Sequence, residues 1–207
     1  MSTASDRMLV ILSRWRVNLA TVLAVVAVAA ARPTHADILR WLPLVLTGVA
    51  IRVWARGHLD RRARLTRTGP YAWVRHPLYV GSFLIGLGFS GMLGRWFMPP
   101  LFAATYLFMY VPKAIREEQY LRGKYGEEYA RYAARTGAVI PLLRRPPAAA
   151  DDVDAVRFEW PRVIGHREWK TWLGVAGAVA ALWAIASVSS SATDIAALAS
   201  RSAGATH

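Results

Sequence analysis

The 207-residue chain has no cysteine and few acidic side chains, 13 Asp and Glu against 26 Lys and Arg. Without cysteine there is no disulfide framework, no thiolate metal site and no cysteine nucleophile. With so few acids the formal net charge is +13. Histidine is also scarce: the five are His35, His58, His76, His166 and His207, scattered along the chain, so no metal site is expected. What the chain has instead is apolar surface. It is 55% hydrophobic with 9 Trp, and its mean hydropathy is +0.25. That excludes a disordered chain. A charge of this size could serve a nucleic acid or an anionic lipid surface. The distribution of basic and apolar residues decides between them.

Five apolar stretches approach the roughly 20 residues that a helix needs to cross a bilayer. They run over 17–31, 38–55, 78–94, 96–111 and 169–188. The first also fits a cleaved signal peptide, but four further stretches make an uncleaved helix the simpler reading. Trp15, Trp41, Trp54, Trp96 and Trp169 sit near stretch ends, where amphipathic rings collect at headgroup level. If the spans alternate, 21 of the 26 basic residues fall on one side, while Arg32, Arg40, Arg95 and Arg201 fall on the other. Arg52 lies within the second stretch and could snorkel to the headgroups. The positive-inside rule then makes the basic side cytoplasmic, with the N-terminus inside and the C-terminus outside. The charge is thus a topology signal, and no nucleic-acid partner is expected. The fold class expected is all-α, a polytopic membrane bundle of about five spans with cytoplasmic amphipathic helices. It divides into a core over 1–143, a hydrophilic irregular linker over 144–168, a fifth span over 169–188 and a loose tail over 189–207.

Two polar clusters lie on the basic side. The first is RTGPYAWVRHPLYVG, residues 67–81. Gly69-Pro70 makes a turn, and Pro77 suits the first turn of a helix, where its missing N–H costs nothing. Arg75 and His76 would then stand just before a helix N-terminus, where an anionic or electron-rich ligand fits. The second cluster is Glu117-Glu118, two adjacent carboxylates close to lipid that need a partner. Pairing with Arg116 or with loop arginines is the structural explanation; binding a cationic ligand is the functional one. From Lys113 to Arg135 the sequence reads as an amphipathic cytoplasmic helix with Tyr125, Tyr129 and Tyr132 on one face. That face could lie at the membrane surface. Gly123 and Gly126 mark a break.

The run GPYAWVRHPLYVG, followed by EEQYLRGKYGEEYARY and VIP, resembles the isoprenylcysteine carboxyl methyltransferases and the related phospholipid N-methyltransferases. The resemblance covers about Thr66 to Pro141. It implies S-adenosylmethionine as methyl donor and a lipidic or prenylated acceptor. Arg75, His76, Pro77 and Tyr79 match the family's RHPxY element, Tyr71 the element before it, and Glu117 and Glu118 its paired glutamates. These residues, with His76 and Arg75 as the catalytic pair, form the implied cofactor site. Gly86 and Gly88 resemble a GxG cofactor element, though small residues there equally allow close helix packing. Arg131, Tyr132 and Arg135 are acceptor-side candidates; Arg135 is a possible substitute for an arginine expected where Ala138 stands. Two other readings remain open. Sterol reductases using NADPH share a similar half-motif, but its Asn and Glu are absent here. A non-enzymatic membrane scaffold is the other. The oligomeric state is left open. The Ala- and Arg-rich composition points to a bacterial source, hence a bacterial inner membrane.

Overall fold

The computed structural model describes residues 30–59, 65–142 and 156–204, with side chains described to 191. The expected first stretch, 17–31, lies almost wholly outside the described residues. Within them the chain is helical, with one isolated parallel bridge between Val74 and Gly137. Five α-helices follow in order: α1 (His35–His58), α2 (Pro77–Met92), α3 (Met98–Arg135), α4 (Trp160–Gly165) and α5 (Trp169–Gly204). A 3-10 turn, Gly69–Ala72, precedes α2.

The helix ends follow local chemistry. Thr34 caps α1, its Oγ1 accepting from the Asp37 amide at 3.1 Å, and Asp37 complements the positive end of the helix dipole. Pro77 opens α2 at its first position, as the sequence predicts. α3 is kinked where Gly126 takes φ +52°, a left-handed conformation that glycine tolerates.

α1 and α2 pack most closely, and small residues permit it. A Cβ on Gly48 would stand 2.6 Å from the Gly81 carbonyl oxygen, and one on Gly81 would stand 2.8 Å from that of Gly48. The two backbones therefore touch. α5 lies against α1 at both ends. Near its start Glu168 meets Arg52 and Arg56; further along, Ser187 hydrogen-bonds His35 at 3.1 Å. The core between them is Ile38, Val45, Met92, Leu182 and Ala186.

Five expectations change. Among the described residues two helices are long and apolar enough to cross a membrane, α1 and the stretch Trp169–Ser191 of α5; α2 is apolar but has 16 residues. The fourth stretch is not a separate helix but the first half of α3, which continues through Pro112 into the amphipathic segment. Residues 156–168 are no irregular linker: they carry α4 and pack on the end of α1, with the Glu159 amide donating to the Gly57 carbonyl at 3.0 Å. The expected loose tail continues α5 as helix to Gly204. Arg52 does not snorkel, because a carboxylate 116 residues away holds it.

Candidate functional site

The loop before α2 is fixed from the far end of α3. The amides of Arg75 and His76 donate to the carbonyls of Gly137 (2.8 Å) and Ala138 (3.0 Å). This local parallel pairing explains why TGAVIP follows the tyrosine-rich helix: it is the strip on which the RHP segment rests. Tyr132 locks the same junction, its hydroxyl donating to the Tyr71 carbonyl at 2.7 Å.

Arg75 is then spent on the scaffold. Its Nε and Nη2 reach Glu118 Oε1 at 3.0 and 2.8 Å, and its Nη1 donates to the carbonyls of Ala133 and Thr136. His76 is 5% exposed, and its Nε2 lies 3.2 Å from the same Glu118 oxygen. Its ring stacks on Tyr79, centroids 5.3 Å apart. The Tyr79 hydroxyl in turn donates to Glu117 Oε2 at 2.5 Å. The paired glutamates therefore do different things. Glu118 turns inward and joins Arg75 to His76, while the exposed Glu117 borders a cavity.

That cavity, about 570 Å³, lies between the loop before α2 and α3, a size suited to a cofactor or small ligand. Tyr71, Arg75, His76, Pro77, Tyr79 and Glu117 line it together with Tyr132. Tyr129 also lines it. That residue is fully buried, and its hydroxyl has no hydrogen-bond partner. Burial pushes the phenols of Tyr129 and Tyr132 above the ordinary tyrosine range; nearby Glu118 adds to the first and Tyr129 to the second. Both stay neutral donors. These tyrosines form the inner face of the helix, not a face lying on the membrane.

Some candidates fall elsewhere. Gly86 faces the Phe102 ring, and Gly88 faces Val45 and the Trp41 carbonyl; both are helix-packing positions away from this cavity. Arg131 and Arg135 are exposed and do not line it. Sequence reasoning missed Arg56 and Lys113, which do. Arg56 had only the signal of a basic residue one turn after Arg52. A second, mainly apolar groove of about 820 Å³ opens between α2, α3 and α5. Tyr106 and Tyr110 line it, stacked 4.0 Å apart. The Tyr106 hydroxyl donates to the Tyr79 carbonyl at 2.8 Å, so Tyr79 and this tyrosine pair separate groove from cavity. Among the described residues no group of three His, Asp or Glu gathers to hold a metal ion.

The donor set fits S-adenosylmethionine: a carboxylate on the rim, tyrosine faces that can lie against a sulfonium, and an orphaned buried hydroxyl. The family profile described as phospholipid methyltransferase matches residues 43–128. The nickel-cobalt-cadmium resistance protein NccN of Alcaligenes xylosoxydans xylosoxydans is 35% identical over 94 residues, 44% of each chain. The protein-S-isoprenylcysteine O-methyltransferase of Schizosaccharomyces pombe is 35% identical over 79 residues, 38% of this chain and 34% of its own. The human enzyme of that name is 34% identical over 80 residues, 39% of this chain and 28% of its own. The chain thus spans less than half the length of these relatives. No solved structure matches. The part that matches the phospholipid methyltransferase profile, residues 43–128, holds most of α1, the RHP loop and the paired glutamates.

Proposed function

We propose that this protein is a membrane methyltransferase that uses S-adenosylmethionine to methylate the carboxylate or amine of a lipidic or prenylated acceptor at the cytoplasmic face. The observation that carries the reading is the cavity itself: the residues of the two family motifs meet there, beside an unpartnered Tyr129 hydroxyl. S-adenosylmethionine supplies a methyl group on a sulfonium, open to in-line attack. The chain's own residues bind and align. Glu117, oriented by the Tyr79 hydroxyl, holds the ammonium end. The rings of Tyr71 and Tyr129 lie against the cationic part. Arg75 positions Glu118, and Glu118 fixes the His76 ring. For an amine acceptor His76 accepts the proton; a carboxylate needs no base. Alignment of donor and acceptor supplies much of the rate. The acceptor's apolar part lies in the groove between α2, α3 and α5, which abuts the cavity at Tyr79, Tyr106 and Tyr110.

Membranes carrying the protein, incubated with methyl-labelled S-adenosylmethionine and a broad lipid extract, should yield one labelled apolar product by mass spectrometry. The product's mass and alkali lability separate ester from methylamine. No labelled product, with no cofactor binding by calorimetry, overturns the reading in favour of a scaffold. Binding of NADPH instead would favour a reductase.

A further inference from the structure

We propose that Arg56, oriented by Glu168 of the α4–α5 connection, is the residue that holds the carboxylate of the donor's amino-acid end, in place of Arg75. The assignment rests on the methyl-transfer reading above. Every nitrogen of the Arg75 guanidinium is engaged by its own chain, on Glu118 and on two carbonyls. A donor carboxylate therefore needs another cation on the cavity wall. Lys113 and Lys124 border the cavity, but both are exposed. Lys113 lies over the Tyr79 and Tyr110 rings, 5.4 and 5.5 Å from their centroids, and Lys124 over Tyr125.

Arg56 differs because it is held. Its Nε lies 3.3 Å from Glu168 Oε2, and Glu168 is only 2% exposed. The same carboxylate takes Arg52 in a two-pronged bond, Nε at 2.6 Å and Nη2 at 3.1 Å. The third nitrogen of Arg52 donates to Ser82 Oγ at 2.6 Å. So two guanidiniums, one turn apart on α1, share one carboxylate. The cluster keeps an excess positive charge beside the cavity, and an anion there would balance it. A zwitterion with its ammonium at Glu117 supplies that anion.

The backbone also marks the spot. Arg167, next to Glu168, takes φ +55°, a left-handed conformation unusual outside glycine. Such conformations persist where the surroundings over-determine them, often at functional sites. Here the segment that leads to it makes contacts onto the end of α1 and the loop before the 3-10 turn. Thr68 Oγ1 donates to the Val156 carbonyl at 2.7 Å, the Glu159 amide donates to Gly57, and the Phe158 ring lies against His58. Residues 156–171 lie beyond the family match, which ends at residue 128. The C-terminal segment is in this reading a positioning element for the site, and Glu168 acts through Arg56.

The test is calorimetric titration of the full chain in detergent with two probes, S-adenosylhomocysteine and its decarboxylated analogue, which keeps the ammonium. The unaltered protein should bind S-adenosylhomocysteine about tenfold or more tighter, the scale of one charge-assisted hydrogen bond. Arg56→Ala and Glu168→Gln should each abolish that preference by weakening S-adenosylhomocysteine alone. The double variant should be no worse than Arg56→Ala. Affinity is read on the folded fraction, and loss of folding shows as lowered stoichiometry. If Arg56→Ala does not fold, Arg56→Gln carries the same comparison. Equal weakening of both probes, or an unchanged preference, overturns the assignment and leaves the methyl-transfer reading standing. A protein that binds neither probe overturns both.

Discussion

Glu117 and Glu118 are neighbours in sequence and opposites in environment, and their substitution should separate binding from folding. Glu118 is half-buried and receives both Arg75 and His76. Glu118→Gln leaves the Arg75 guanidinium, only 15% exposed, without its counter-charge. A cost of about 1–3 kcal/mol in stability is expected, together with more than a tenfold loss of S-adenosylhomocysteine affinity. Glu117 is exposed, so Glu117→Gln should leave stability within about 0.5 kcal/mol while still weakening binding. Thermal unfolding in detergent and calorimetry check the two effects separately; a stability loss in Glu117→Gln equal to that in Glu118→Gln would contradict this division. The motif residues themselves were readable in the sequence, because RHP and the glutamate pair are local strings. Which glutamate faces the cavity was not, since that depends on contacts between side chains about 40 residues apart. Arg56 and Glu168 were still less visible, standing 112 positions apart.

At the scale of elements, local chemistry was legible and long-range packing was not. Pro77 announced the start of α2, and the glycine pair announced a break, which falls at Gly126. Periodicity put Tyr125, Tyr129 and Tyr132 on one face but could not say whether that face met lipid or protein. The GxG string read equally as a cofactor element or as helix packing, and only its neighbours, Phe102, Val45 and Trp41, place it among the packing positions. Glycines in different helices should accordingly respond in opposite ways to the same substitution. Gly48→Ala puts a methyl 2.6 Å from the Gly81 carbonyl oxygen, a backbone atom that cannot step aside. The helix pair must separate, at about 1–3 kcal/mol. Gly177 in α5 has nothing within 4 Å of an added Cβ, so Gly177→Ala should be neutral or stabilise by up to about 1 kcal/mol through helix propensity. Unfolding midpoints of the two variants, measured in one detergent, test this; equal effects would mean that α1 and α2 do not pack as described.

For the whole molecule, charge and helix direction have to agree. α1 and α5 run antiparallel, since the Arg52–Glu168 contact joins the end of one to the start of the other, and the His35–Ser187 contact joins the opposite ends. Each is long enough to span, α1 with 24 residues and the apolar part of α5 with 23. The RHP loop, the glutamate pair and α4 all lie at the Arg56 end. Among the described residues Arg52, Arg56, Arg75, Arg162 and Arg167 lie toward that end, and Arg32 and Arg95 toward the other. In the proposed orientation, which follows the positive-inside rule, the cavity faces the cytoplasm, within reach of a soluble cofactor, and α5 leads outward. A periplasmic-active phosphatase fused after Ser191 should therefore be active, and the same reporter fused after Pro141 should be silent, in bacterial cells expressing each fusion to equal levels. Activity in the Pro141 fusion, or silence in the Ser191 fusion, would reverse the orientation and put the cavity on a face where no cellular pool of methyl donor reaches it.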